Sequence, residues 1–105
     1  MMYPLDPSAG RRWLKDLRSA PISSVGHVVD VRPAQREAED GSTEIWAIVV
    51  LRDSVMQMPA DQRRMLLASL EAELKRIVVG DAYVTTGRPL VSFRTESDEQ
   101  AQNRA

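Results

Sequence analysis

Ile45, Trp46, Ala47, Ile48, Val49, Val50 and Leu51 form an unbroken apolar run rich in β-branched side chains, flanked by Gly41 and Ser42 before and by Arg52, Asp53 and Ser54 after. Such a run reads as a β-strand. A strand with one wet face alternates apolar and polar residues, and this one does not, so both of its faces must be covered. Whatever fold the chain adopts has to supply two covers.

One cover is legible downstream. Over residues 61–79, Leu66, Leu70, Leu74 and Ile77 recur at spacings of four, four and three, with Met65, Leu67 and Val78 widening the stripe. That period is helical. Arg63, Arg64, Ser69, Glu71, Glu73, Lys75 and Arg76 occupy the opposite side, with Glu71 four residues ahead of Lys75 in the favourable order. Pro59 and Asp61 suit the first turn, and Gly80 can end the helix in the left-handed conformation.

The second cover is less defined. A short helix starting at a Ser8 cap and running to about Ser19 has the apolar side Trp13, Leu14 and Leu17, a stripe too narrow for independent stability. It must dock, and the exposed face of the 44–51 strand is the nearest surface. The alternative cover for that face is a second protein chain.

The remaining elements follow from turn chemistry. Residues 22–32 read as a strand with Val25, His27, Val29 and Val31 on one face and Val28, Asp30 and Arg32 on the other, stopped by Pro33. Residues 34–43 form an acidic hairpin loop. Residues 82–86 and 90–94 read as two short strands joined through Gly87, Arg88 and Pro89, the last an edge strand because proline cannot donate to a ladder. The order α-β-β-α-β-β implies an α+β domain over residues 1–94: an antiparallel sheet of about four strands, one long helix across one face, and a short N-terminal helix. Residues 95–105 have no large apolar anchor and read as a disordered polar tail.

Composition narrows the function classes. The chain has 105 residues, one domain by size, and a formal net charge of −1, so there is no global attraction to nucleic acid or anionic lipid. It has no cysteine, which removes disulfides, thiol catalysis and thiolate metal sites. The N-terminal ten residues lack the basic-then-apolar pattern of a secretory signal, and no apolar run approaches the roughly 20 residues of a membrane helix, so a cytoplasmic location is expected.

Few residues carry chemistry. His27 is the only histidine, and with Ser23 or Ser24 and Asp30 or Asp53 it composes a serine, histidine, aspartate set on paper. A half-buried strand histidine is the plainer reading, since Asp30 faces away from His27 on a regular strand. Glu37, Glu39, Asp40 and Glu44 lack the spacing of a calcium loop and read as a solvated hairpin. The basic helix face Arg11, Arg12, Lys15 and Arg18 is a contact surface for phosphate or an acidic partner, or a solvated face.

The leading expectation is a non-enzymatic protein-interaction or adaptor module, with neither metal nor cofactor. It is expected to self-associate through an apolar sheet face or the last strand, with Trp46, Ile48, Val50 and Trp13 as interface residues. A nucleic-acid-associated accessory protein using the basic helix, and a small enzyme using His27 as acid or base, are the alternatives.

Overall fold

In the computed structural model, which describes residues 2–81 and 87–103, the chain is an α+β domain with a mixed sheet and three helices. In order these are β1 (Met2–Pro4), α1 (Pro7–Arg18), β2 (Val28–Glu37), β3 (Thr43–Leu51), α2 (Ala60–Val79), β4 (Arg88–Thr95) and α3 (Glu96–Asn103). Three long strands form the body of the sheet, and the three-residue β1 extends it beside β2 in the order β1-β2-β3-β4.

The all-antiparallel sheet expected from the sequence is corrected at its last pair. β2 and β3 form an antiparallel hairpin, with Gly41 at φ 84° in the turn, but β4 runs parallel to β3. Length explains this. A 20-residue helix rises about 30 Å, which matches the reach of the nine-residue β3 at about 3.3 Å per residue. Helix α2 therefore returns the chain to the end where β3 began, and a parallel crossover of that length is the usual solution. The short strand expected over residues 82–86 lies outside the described residues. Pro89 does sit on a terminal strand of the sheet, as its missing N–H requires.

Strand β2 differs from the regular alternation in two ways. Residues Ser23–His27 form a 3-10 turn rather than extended chain, and the register slips between Val28 and Asp30. The slip is a bulge at Val29, which lets Val28 and Val31, three residues apart, both face the core. Pro33 does not stop the ladder either. It lies inside β2 opposite Ala47, at a level where β1, which pairs only with residues 34–36, offers no partner on the other side.

Both α1 and α2 pack on the same face of the sheet. Ala9, Trp13 and Leu17 of α1 share one core with Leu66, Leu70, Leu74 and Ile77 of α2 and with Ile45, Ala47, Val49 and Leu51 of β3. The expectation that α1 covers the second face of β3 is thus corrected. Helix α1 starts two residues earlier than its serine suggests: Asp6 caps it, accepting the Ser8 N–H at 3.0 Å, and Pro7 is the first helical residue. That N–H bond, and with it the hydroxyl of Ser8, holds the Asp6 carboxyl below its ordinary pKa.

Two contacts seat α1. Gly10 lies so close to β2 that an added Cβ would stand 2.4 Å from the Val31 carbonyl oxygen and 2.8 Å from Pro33 Cδ. Trp13, fully buried, donates its indole N–H to Asp81 Oδ2 at 2.8 Å, and Arg12 reaches the same oxygen at 3.0 Å. The second contact ties α1 to the residue just beyond α2. In α2 the expected stripe is buried, except that Leu67 is half-buried and Met65 is exposed, and Gly80 ends the helix at φ −80° without a left-handed turn.

Gly10→Ala isolates the close approach. Alanine favours an exposed helix by about 1 kcal/mol over glycine, whereas overpacking against backbone costs about 1–3 kcal/mol. We expect a net loss of stability in denaturant titration, opposite in sign to the helix-propensity effect.

Candidate functional site: the outer sheet face

With both large helices on one side, the other face of the sheet is the surface that the fold leaves for contact. Alternation puts Glu44, Trp46, Ile48 and Val50 of β3 on it, and the register aligns their neighbours in rows. The first row is Arg36, Glu44 and Arg88. The second is Ala34, Trp46 and Leu90, the third Arg32, Ile48 and Ser92, and the fourth Asp30, Val50 and Arg94. Successive rows are about 6.5 Å apart along the strands.

Charge closes the face at both ends. In the first row the buried Glu44 lies 2.6 Å from Arg88 and 3.8 Å from Arg36. At the far end Glu99 of α3, also buried, pairs with Arg32 of β2 and lies 3.2 Å from Arg94 of β4. Its carboxylate spans β3 from one flanking strand to the other and lays α3 over the Ile48 and Val50 end. Ile48 and Val50 are buried, while Trp46 and Leu90 are half-buried. The indole N–H of Trp46 is buried and has no hydrogen-bond partner among the described residues.

Helix α3 occupies residues expected from composition to be a loose tail. Its start is fixed by reciprocal bonds: Thr95 Oγ1 accepts the Asp98 N–H at 3.2 Å and Asp98 Oδ2 accepts the Thr95 N–H at 3.1 Å. This is a capping box with aspartate in place of glutamate. The Thr-x-x-Asp spacing was the available signal, masked by the lack of apolar residues after it. Asp53, in the 3-10 turn Asp53–Gln57, accepts the Ser97 N–H at 3.0 Å and its hydroxyl at 2.8 Å. Those bonds, the backbone one first, hold the Asp53 carboxyl below its ordinary pKa.

The other residues singled out by sequence fall elsewhere. Trp13 lies in the core between α1 and the sheet, not on the outer face. On α1, Arg12 is engaged by Asp81 and Ser8, whereas Arg11, Lys15 and Arg18 are exposed with no ion-pair partner among the described residues. His27 lines a cleft of about 370 Å³ with Ser23, Ser24, Gln62 and Met65. Among the described residues no carboxylate lines that cleft: Asp53 is held by Ser97, and Asp30 by the Val31 N–H and Arg32. Glu37, Glu39 and Asp40 are exposed at the hairpin, and Glu44 is drawn away from them onto the outer face by its arginines.

Comparison with known proteins finds no matching family model, no matching curated protein and no matching solved structure. No helix of the described residues is long and apolar enough to cross a membrane.

Acid pH tests the hold on α3. Because the folded-state pKa of Asp53 is depressed, its contribution is complete above the ordinary aspartate value of about 3.9 and is lost as pH falls through the lower folded value. We expect the Ser97 amide to lose hydrogen-exchange protection over that window, and Asp53→Asn to remove the pH dependence.

Proposed function

We propose that the protein is a non-enzymatic protein-interaction module that docks a partner on the outer sheet face, around Trp46 and Leu90. The observation that carries this reading is the unequal cover of β3. Two helices bury one of its faces, whereas on the other α3 is anchored through Glu99 at the end where Ile48 and Val50 are buried, and Trp46 is only half-buried. The half-exposed Trp46 and Leu90, with charged rows on either side, have the arrangement of a docking surface: an apolar centre and a polar rim.

Self-association has a more specific route than face stacking. A two-fold axis along β3 would set Arg36 against Arg88 and Glu44 against Glu44, opposing like charges. Strand β4, by contrast, pairs only with β3 among the described residues, so its second edge is the place where another copy can continue the sheet. Concentration-dependent sedimentation that Trp46 variants leave unchanged would favour this second reading.

Leu90→Ser tests the first. The side chain is half-exposed, so the substitution is expected to cost only about 1 kcal/mol of stability. Affinity capture from the native host, run in parallel with wild type and variant, is expected to lose the proteins retained by wild type. The same retained set with both proteins would place the contact elsewhere.

A further inference from the structure

The partner's chemistry is written in how the face treats carboxylates. At the covered end, a single glutamate presented by a polar helix is inserted between Arg32 and Arg94, and that insertion seats α3 on the sheet. At the open end, two guanidinium groups share the one carboxylate of Glu44. The side chain of Arg88 is 64% exposed and that of Arg36 48% exposed, so donors on both still face solvent. Between these arginines and the end of α3 lies the apolar row Ala34, Trp46 and Leu90.

We propose, on the reading that this face is the docking surface, that its open end binds an acidic protein segment. An apolar side chain of the segment rests on Trp46 and Leu90, and a carboxylate one or two residues away takes the free donors of Arg88 or Arg36. The buried indole N–H of Trp46 lies at the same place and donates to a carbonyl of the incoming chain only if Trp46 turns its ring edge outward. A long polyanion fits less well. Glu44 lies among the arginines at one end and Glu99 between Arg32 and Arg94 at the other, so a run of phosphates would meet carboxylates at both ends of its path.

Fluorescence titration of the full-length chain with an alternating glutamate-leucine peptide tests this, with a lysine-leucine peptide and a short oligodeoxythymidine as comparison probes. Trp13 is fully buried, so a binding signal reports on Trp46. The expected result is saturable binding of the acidic peptide that weakens with salt and falls about tenfold or more in Arg88→Glu. Arg88→Gln, which keeps a donor for Glu44, should give a smaller loss and guards against a folding defect in the charge reversal. Equal binding of the lysine peptide, tighter binding of the oligonucleotide, or an affinity unchanged in Arg88→Glu would each overturn the proposal. If native partners are lost in Leu90→Ser while the acidic peptide fails to bind, the docking face stands and its acidic occupant falls. If native partners are retained in Leu90→Ser, the docking face itself is wrong.

Discussion

The structure depends on the requirement that β3 be covered on both sides. Seven consecutive apolar residues cannot be left wet on either face without exposing a patch large enough to drive association. On the inner side the solution is conventional packing, with Ile45, Ala47, Val49 and Leu51 meeting two helices. On the outer side the solution is polar. Glu44 replaces an apolar residue at one end of the strand, and Glu99 of α3 closes the other. Both carboxylates are buried, and each is held by arginines from the two flanking strands, so a charge that would be costly alone becomes a cross-strand tie.

The inner layer, in turn, depends on admitting α1. Two helices fit side by side on a narrow sheet only if one of them approaches closely, and Gly10 permits that approach where any side chain would strike Val31 and Pro33. The bulge at Val29 complements it by turning both Val28 and Val31 toward the helices. Trp13 then fills the space between the helices, and Asp81 satisfies its indole N–H, which would otherwise cost about 1–3 kcal/mol if buried without a partner.

Much of this was legible in residue order, and the parts that were not share a cause. The α2 stripe from Leu66 to Ile77, the two-faced β3 and the edge position of β4 follow from periodicity and from Pro89, which are local signals. The direction of β4 is not local: it follows from the match between helix length and strand length. The place of α1 depends on Gly10, whose role is visible only once β2 lies beneath it. The bulge at Val29 reverses the face of every later β2 residue relative to Val28, and no residue type announces it. Of the outer face, Trp46, Ile48 and Val50 were readable as one side of β3, but the arginine rows that border them come from strands whose register the sequence does not state.

Helix α3 shows why composition misleads in this case. A segment without large apolar residues has no hydrophobic reason to order, and the usual inference from that is disorder. What orders it is a small number of directed bonds: the Thr95 and Asp98 capping box, the Asp53 grip on Ser97, and one buried carboxylate between two arginines. Such bonds demand geometry more than area, so the helix is positioned accurately while burying little of its own surface. They also act at one end of the helix and at one residue beyond it. A cover attached in that way leaves Trp46 and Leu90 only half-buried, because a polar helix gains nothing by extending over them. The openness of that end of the face is therefore a direct consequence of how the other end is closed.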